Sequence, residues 1–417
     1  MPEENWAGNL TYRARAVHHP GSIEEVQSLV AGSDSIRGLG SRHSFSDIAD
    51  TTGELIVLDR LDPDVRIDPA ARTVTASAGL RYGDLATALH AEGWALGNLA
   101  SLPHISIAGT VATGTHGSGV GSRSLAAAVA ALELVSADGE LRWIRRGDAD
   151  FDGAVVSLGA LGIVTRMTLD IVPAYDVWQT VYVGLAWSTA IDHLDELLGS
   201  AYSVSLFTNW ADADIRQVWR KSTADDAPAE LFGAAPAVGQ QHPVPDAPTE
   251  FTTAQGGAPG PWHERLPHFR LEFTPSAGEE LQSEYVIPRR FAAEAITAMR
   301  ELGPRVAHAI QISEVRTFAA DSLWLSGAEG TDVIAFHFTW RKDPDLVLPL
   351  LPRLEATLAP FSARPHWGKL FAGTGEQVRS LYPRFADFSA LRDRLDPQRK
   401  FDNDFLRRIV DRGVRRW

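Results

Sequence analysis

The sequence predicts an α+β protein of two domains, and three observations support this fold class. The chain has 417 residues, 44% of them apolar, which is enough for two separate hydrophobic cores. Helical and strand-like periods both occur before Pro173. Beyond that proline the composition changes to longer helix-like segments and to strands separated by polar stretches, so we place a domain boundary there.

The first elements follow from local signals. Ser22 and Glu25 form a capping box, and the apolar residues after them predict a helix that ends near Gly32. A short strand should then precede Gly38. The alternating run 72–78 predicts a further strand, and residues 82–92 place apolar residues on one face of a helix.

A short glycine-containing loop with the sequence RGLGSRHSFSDIAD begins at Arg37. Gly38 and Gly40 can bring backbone N–H groups close to a phosphate. A dinucleotide-binding fold would carry a third glycine where this chain has His43. Two interpretations of His43 are possible at this point. The imidazole either bonds covalently to a flavin or belongs to a loop histidine that donates a hydrogen bond.

A second glycine-rich stretch, residues 93–121, contains seven glycines among small Ala, Ser and Thr residues. Such a run lets the backbone lie close to a bulky ligand or to another backbone, and the alternative is a flexible surface loop. Interleaved apolar residues such as Ile107 and Val111 argue against the loop. His104 and His116 lack metal-like spacing, so we expect both to form hydrogen bonds.

The rest of the first domain is predicted to be rich in strands. Residues 130–144 predict a hairpin that turns at Asp138 and Gly139. A turn with the sequence SLGALG then leads into a strand over 163–171, which Pro173 closes.

The second half begins with a helix-like segment over 188–198. Residues 222–261 show no period and predict a long excursion. The run 333–340 reads as a strand with four large apolar residues on one face and His337 and Thr339 on the other. Those two side chains must face either solvent or a hydroxylated ligand.

Three further charged residues have two possible interpretations. Glu314 and Arg316 share one face of the predicted strand 310–318. They form either a surface ion pair of little energetic value or a charged pair that lines a pocket. Lys369 follows a glycine beside two aromatic residues, where a lone lysine would usually be a solvated surface charge.

Charge and composition exclude several classes of protein. The formal net charge of −14 repels nucleic acid and anionic membranes, so we expect neither as a partner. The chain has no cysteine, which excludes disulfides, thiolate metal sites, cysteine nucleophiles and a flavin tether through sulfur. The N-terminus carries no apolar signal, and no window reaches 18 apolar residues. We therefore expect a soluble, cytoplasmic protein.

Together these stretches resemble the vanillyl-alcohol oxidase type of FAD-binding oxidoreductase, and within it the bacterial alditol oxidases, close to the sugar-1,4-lactone oxidases. The resemblance covers nearly the whole chain. Where the family carries a small residue before the flavin-loop histidine, this chain has Arg42. The motifs that carry the resemblance are NWAGN, GLGSRHSFSDIAD, ASLPHISIAGTVATGTHGSGVG, SLGALGIVT, GPWHERLPHF, LQSEY, SEVRT, AFHFTW, PHWGK and LDPQRKF.

The resemblance implies a fold of two domains. Residues 1–173 would form a PCMH-type FAD-binding domain, and residues 174–370 a substrate-binding (cap) domain built on a mixed sheet. The C-terminal segment 371–417 would return to the FAD domain.

The resemblance also implies the binding sites, with His43 as the covalent anchor of the FAD. Lys369 and Arg316 would stabilise alkoxide character, and His337 or Lys369 would accept the proton. The implied cofactor-binding residues are Arg37, Gly38, Gly40, Ser41, Arg42, His43, Ser44, Ser101, Ser106, Gly109, Thr110, Thr113, Gly114, His116, Gly117, Gly162 and Ile163. The implied substrate-binding residues are Ser101, Gln282, Glu314, Arg316, His337, Thr339 and Lys369.

The implied activity is oxidation of the terminal CH₂OH of a polyol such as xylitol or sorbitol, with dioxygen as acceptor and hydrogen peroxide as product. No metal is expected, and the protein is predicted to be a monomer. One alternative is an oxidase or dehydrogenase of the same fold that acts on gulono- or galactono-1,4-lactone. A more remote alternative is a sugar-binding flavoprotein without turnover. A nicotinamide-dependent polyol dehydrogenase ranks lowest, because the sequence lacks its glycine fingerprint and zinc-ligand spacing.

Overall fold

The computed structural model describes residues 3–273 and 278–411. Within these residues, helices and strands are mixed along the chain, as the α+β prediction requires. The strands are β1 (Ala16–His18), β2 (Ile36–Gly38), β3 (Glu54–Ile56), β4 (Arg66–Asp68), β5 (Thr73–Ser77), β6 (Trp94–Ala95), β7 (Val129–Val135), β8 (Leu141–Arg145), β9 (Ile163–Asp170), β10 (Val172–Pro173), β11 (Asp176–Val183), β12 (Leu185–Ala186), β13 (Ser203–Thr208), β14 (Asp214–Ile215), β15 (Gln217–Ser222), β16 (Ala235–Pro236), β17 (Pro259–Pro261), β18 (Glu280–Pro288), β19 (Ile310–Phe318), β20 (Val333–Arg341) and β21 (Arg364–Pro365). The helices are α1 (Ile23–Gly32), α2 (Tyr82–Ala91), α3 (Ile107–Ala112), α4 (Phe151–Ala154), α5 (Trp187–Asp192), α6 (Leu194–Leu198), α7 (Ala292–Val306), α8 (Pro344–Val347), α9 (Leu351–Leu358), α10 (Gly375–Ser380), α11 (Phe385–Leu395) and α12 (Asp404–Ile409).

The elements predicted for the first domain are confirmed. Helix α1 begins after Ser22, whose side-chain oxygen accepts a hydrogen bond from the backbone N–H of Glu25, and it ends at Gly32. The predicted hairpin is the pair β7 and β8, and Gly139 at its turn has φ +84°. Only glycine adopts that backbone conformation without strain.

The glycine-rich stretch 93–121 is not a surface loop. It contains helix α3, in which Ile107 and Val111 are fully buried. The small residues around this helix let other backbone segments approach closely, as at Gly117, where an added Cβ would lie 2.3 Å from the Leu99 carbonyl oxygen. The flexible-loop interpretation is therefore wrong.

The helix predicted over 188–198 is broken in the structure. Helices α5 and α6 meet at His193, whose φ of −118° and ψ of 26° are not helical. The apolar spacing runs unbroken across this residue, but its ring stacks on Phe232 with the ring centroids 5.4 Å apart. A contact with a residue almost forty positions away is invisible to the local pattern.

Two sheets organise the N-terminal part of the chain. Strands β1, β3 and β2 form a parallel sheet in that order. Strands β4, β5, β9, β7 and β8 form an antiparallel sheet in that order. The loop after β2 carries the flavin-loop motif, so the parallel sheet positions Gly40 and His43.

A large sheet organises the second half of the chain, and its described strand pairs are antiparallel, so the expectation of a mixed sheet is wrong. Its central order is β11, β15, β13, β19, β20 and β18, with β16 and β17 on one edge and β21 on the other. The apolar face of β20, from Ile334 to Trp340, is fully buried and belongs to one hydrophobic cluster with residues of α7 and α9. The opposite face carries His337 and Thr339, so the predicted alternation is confirmed.

The packing of the C-terminal segment links it to the first half of the chain. Residues of α10, α11 and α12 lie in the same hydrophobic cluster as Val74, Leu85 and Leu132. This packing is consistent with the predicted return to the first domain, although the three-part domain division itself stays a prediction. Over 3–273 and 278–411, no helix combines the length and the apolarity needed to cross a membrane.

Candidate active site

One cavity of about 440 Å³ is lined both by the loop 37–45 and by the polar face of the large sheet. Residues after β2 and residues of α3 line one part of it. Side chains of β18, β19 and β20, together with Lys369, line another part. The segment 222–261 adds apolar wall residues such as Pro243 and Phe251. A single space therefore adjoins both the flavin loop and the polar strand residues.

His43 lies on the wall of this cavity. Its ring stacks on Trp6 with the centroids 5.4 Å apart, and burial lowers its pKa to about 4. The imidazole is therefore neutral near pH 7. Among the described residues, its buried Nδ1 has no partner at hydrogen-bonding geometry. A buried and unpaired nitrogen needs an explanation, and a bond to a flavin fits it.

The loop around His43 is held by close backbone packing. The N–H of Ser41 donates to Ser106 Oγ over 3.2 Å, and the N–H of Ser106 donates to Ser41 Oγ over 3.0 Å. A Cβ on Gly40 would lie 2.4 Å from Ser106 Oγ. A glycine is therefore required where this loop meets the start of α3.

Most residues predicted to bind the cofactor line the cavity, but five do not. Ser106 lies behind the lining, where it bonds to Ser41 as described. An added Cβ on Gly162 would lie 2.6 Å from the Val135 carbonyl oxygen, so this glycine serves strand packing. The residues that line the cavity are Arg37, Gly38, Gly40, Ser41, Arg42, His43, Ser44, Ser101, Gly109, Thr110, Thr113 and His116, whereas Ser106, Gly114, Gly117, Gly162 and Ile163 do not. Their roles toward the cofactor stay predictions.

All residues predicted to bind substrate line this cavity, and strand register explains why. His337 on β20 pairs with Glu314 on β19 and with Glu284 on β18. Thr339, two residues further along β20, pairs with Gln282 on β18. Cross-strand partners have their side chains on the same face. Three neighbouring strands thus present one polar surface to the cavity.

Glu314 and Arg316 are buried, so the surface ion-pair interpretation is wrong. Their side chains are 4% and 7% exposed. Arg316 Nη1 donates to Ser101 Oγ over 3.0 Å, and Nη2 donates to Glu284 Oε1 over 3.1 Å. The guanidinium therefore bridges the glycine-rich stretch and the sheet.

Glu284 is the centre of the charge network, and the sequence analysis did not single it out. Its Oε2 accepts from Lys369 Nζ over 2.5 Å, and its Oε1 lies 3.0 Å from His116 Nε2. Burial alone would raise the pKa of Glu284, but the nearby charges of Lys369 and Arg316 hold it well below its usual range. Lys369 is accordingly a buried, paired cation and not a solvated surface charge.

The histidines that face this network are neutral. Burial and the charge of Lys369 lower the pKa of His337 well below its usual range. Its Nε2 is buried and unpaired within the described part of the chain. Burial likewise lowers the pKa of His366 to about 3. His337 therefore offers a neutral imidazole whose Nε2 can accept a hydrogen bond beside the charged groups.

Other residues that the sequence analysis missed are His366, His268 and Lys221. Glu284 had a signal: it lies two residues after Gln282 in one strand, so the two share a face. His366 lies three residues before Lys369 in the PHWGK motif. Lys221 and His268 come from separate segments, and only the fold brings them together, with Lys221 Nζ 3.1 Å from His268 Nδ1.

His104 and His116 both form hydrogen bonds, as predicted. His104 Nε2 lies 2.8 Å from the Leu271 carbonyl oxygen, and His116 Nδ1 lies 2.9 Å from the Gly117 carbonyl oxygen. In the part of the chain that the structure describes, no group of three His, Cys, Asp or Glu residues could hold a metal ion.

Known proteins resemble both halves of this architecture. A FAD binding domain family matches residues 14–145, and a D-arabinono-1,4-lactone oxidase family matches residues 278–409. An alditol oxidase from Streptomyces sp. (strain IKD472 / FERM P-14339) is 50% identical over 410 residues, which is 98% of each chain. An L-gulono-1,4-lactone dehydrogenase from Mycobacterium tuberculosis is 29% identical, over 97% of this chain and 98% of that protein.

A solved structure shares the fold at low sequence identity. Glucooligosaccharide oxidase from Acremonium strictum, whose FAD is 6-S-cysteinyl and 8α-N1-histidyl, aligns with a TM-score of 0.75 at 14% identity. The alignment covers 98% of this chain and 93% of that one. Fold and cavity together define a FAD-dependent oxidoreductase with the vanillyl-alcohol-oxidase architecture. Within that class, the chain belongs to the alditol oxidase family.

Proposed function

We propose that the chain oxidises the terminal CH₂OH of open-chain alditols such as xylitol and sorbitol to the aldehyde, while dioxygen is reduced to hydrogen peroxide. The observation that carries this proposal is the polar surface of Glu284, Gln282, Glu314, His337 and Thr339 that shares a cavity with His43. A polyol carries a hydroxyl on every carbon, so it can pair with each of these groups. The 50% identity to an alditol oxidase supports the same substrate class.

FAD, when bound, supplies the hydride acceptor. We propose His43 as its covalent anchor, which the buried and unpartnered Nδ1 supports. An 8α-N1-histidyl FAD in a protein of the same fold supports this kind of link. The glycines and serines of the loop 37–45 would hold the phosphate and ribityl parts.

The residues of the polar surface would have separate tasks. His337 would accept the hydroxyl proton, because its imidazole is neutral and its Nε2 is unpaired in the described residues. Lys369 and Arg316 would stabilise alkoxide character, since both cations are held near the cavity by Glu284. Ser101, Gln282, Glu314 and Thr339 would pair with the remaining hydroxyls. Ligands without those hydroxyls would leave buried polar groups unpaired and would bind weakly.

The test is the visible absorbance of the purified holoprotein under anaerobic conditions. Xylitol should bleach the visible absorbance band of the flavin, because hydride transfer reduces the cofactor, and admission of air should restore it. One molecule of hydrogen peroxide should form for each molecule of polyol oxidised. A spectrum that xylitol leaves unchanged would contradict the proposal.

The second candidate is oxidation of an aldono-1,4-lactone. The match of residues 278–409 to a D-arabinono-1,4-lactone oxidase family favours it, whereas the lactone dehydrogenase is only 29% identical. L-Gulono-1,4-lactone is the matched probe in the same assay. If only the lactone reduces the flavin, this second candidate is correct.

The non-catalytic alternative has its own test. Replacing Lys369 with Met should abolish turnover while the protein keeps its yellow colour. A wild-type protein that binds polyol but never reduces its flavin would support the sugar-binding alternative. The monomeric state and the cytoplasmic location stay predictions that a sedimentation experiment and cell fractionation would test.

A further inference from the structure

A buried lysine lies behind the polar surface, outside the set of predicted site residues. Lys221 on β15 is 1% exposed. Its ammonium donates to the carbonyl oxygens of Leu266 and Pro267 over 2.5 and 3.1 Å, and Nζ lies 3.1 Å from Nδ1 of His268. An ammonium group has three hydrogens, and three acceptors surround this one.

The contact between His268 and Glu314 fixes the direction of the hydrogen bonds. The ionised carboxylate of Glu314 can only accept, so Nε2 of a neutral His268 must donate to it, and Nδ1 must accept from Lys221, whose pKa burial lowers to about 7. Burial and the charge of Lys221 lower the pKa of His268 to about 4, and the ring is neutral. Its single proton is therefore on Nε2, which donates to Glu314 Oε1 over 2.9 Å.

Aromatic side chains hold the His268 ring in this orientation. Trp219 and Phe207 meet it edge to face, with centroids 5.1 and 5.5 Å away. The backbone N–H of His268 also donates to the Ser101 carbonyl oxygen over 3.0 Å. The imidazole is thus fixed between Lys221 and Glu314, and it cannot turn without breaking both contacts.

The hydrogen-bonded relay from Lys221 through His268 leaves the two oxygens of Glu314 in different situations. Oε1 is bound to His268. Oε2 lies 3.6 Å from Arg316 Nη1 and 3.9 Å from His337 Nδ1, both longer than a hydrogen bond. Glu314 itself lines the cavity. An acceptor oxygen with longer charged contacts can take a hydrogen bond from a ligand hydroxyl.

We propose that Lys221 and His268 are positioning residues, which orient Glu314 so that its Oε2 binds a hydroxyl of the polyol. This inference rests on the proposed function, because it assigns a substrate contact within the same site. Within the described residues, no hydrogen bond joins Lys221 or His268 to the other charged groups of the polar surface, so both act through Glu314. Their contribution is to substrate binding and not to proton or hydride transfer.

Steady-state kinetics of the holoprotein with xylitol test the relay. Lys221→Met should raise KM about tenfold, equivalent to about 1.4 kcal/mol of lost binding, with kcat little changed. A loss that appears in KM alone marks an interaction made equally in ground and transition states. Unchanged KM, or a fall in kcat without a change in KM, would overturn the proposal.

Lys400→Met is the matched control for removal of a buried lysine. Lys400 is 5% exposed, and its ammonium donates to the Val30 carbonyl oxygen over 2.7 Å. This variant should lower the unfolding temperature and leave KM for xylitol unchanged. If both lysine variants raise KM alike, the effect of Lys221 is general destabilisation and the relay is refuted.

A pair of His268 variants decides the matter if Lys221→Met does not fold. Glutamine has an acceptor oxygen for Lys221 and a donor N–H for Glu314, whereas leucine has neither. His268→Gln should therefore keep KM near the wild-type value, and His268→Leu should raise it about tenfold. Equal KM values for the two variants would overturn the proposal.

Wild-type protein separates failure of the relay from failure of the proposed function. If xylitol does not reduce the wild-type flavin, the proposed function is wrong, and the relay proposal falls with it. If wild type oxidises xylitol but the variants keep its KM, the relay alone is wrong.

Discussion

Replacing Glu284 by glutamine removes a carboxylate that pairs with both Lys369 and Arg316. Lys369 Nζ lies 2.5 Å from its Oε2, and Arg316 Nη2 lies 3.1 Å from its Oε1. The amide keeps the shape of the side chain but loses its charge. Lys369 and Arg316 would then be buried near each other with less opposing charge.

The structure sets the size of the expected effect. Removal of one partner from a buried ion pair costs about 3–5 kcal/mol. The glutamine amide oxygen can still accept one hydrogen bond, so we expect a cost of about 3 kcal/mol. Burial lowers the pKa of Lys369, and Glu284 opposes that change. Without Glu284 the pKa of Lys369 falls further. Lys369 in the variant therefore loses its proton at a lower pH than Lys369 in wild type.

The assay is the dependence of kcat on pH, with thermal unfolding measured on the same holoprotein. For Glu284→Gln, turnover at pH 8 should fall about 100-fold, which is the scale for losing one charge-stabilising donor. The loss should shrink toward lower pH, where Lys369 regains its proton. Glu355→Gln is the matched control, because this carboxylate accepts from the Tyr285 hydroxyl and the Ala372 amide and from neither cation.

If Glu284→Gln keeps the wild-type pH profile and unfolding temperature, the carboxylate does not hold Lys369 in its charged state. If Glu355→Gln shifts the profile in the same way, the effect comes from any buried carboxylate and not from this network.

Three further predictions concern the cofactor, pH and packing. His43→Ala should release its flavin on acid precipitation, whereas wild type should retain the flavin fluorescence on the polypeptide; flavin that stays on the variant would exclude His43 as the anchor. The pKa of His366 in the folded protein is about 3, so the unfolded chain gains its proton first, and stability should fall by about 1.4 kcal/mol per pH unit below pH 6.5. By pH 5 this loss is about 2 kcal/mol, and His366→Asn should lack it when unfolding is compared at pH 7 and pH 5; equal acid sensitivity would contradict the assignment. Gly117→Ala should cost about 1–3 kcal/mol through the clash with the Leu99 carbonyl oxygen, while flavin content per folded molecule stays constant; lost flavin at unchanged stability would instead support a cofactor role for Gly117.

Local sequence patterns predicted the individual elements well. The capping residue Ser22 marked the start of α1, and the alternation around His337 marked β20 and its two faces. These signals come from neighbouring residues, because capping, turns and alternation are set within a few positions. The break at His193, which stacks on the distant Phe232, was missed because the apolar spacing runs unbroken across it.

The sequence by itself determined the fold class, the family and most of the candidate site. Motifs such as GLGSRHS and SEVRT carry that information through their resemblance to a known family. The alternation of side chains along a strand alone placed His337 and Thr339 on a polar face. It also put Glu314 and Arg316 together, although it left open whether that face was inside or outside the protein.

Only the tertiary structure decided which charges meet. Glu284, Arg316 and Lys369 come from a strand, a second strand and a loop, and Lys221 reaches Glu314 only through His268. Strand order and register bring these groups together, and both depend on long-range pairing that no local pattern specifies. Burial then makes each contact strong and sets the pKa values, because the energy of a charge depends on how much water its neighbours exclude.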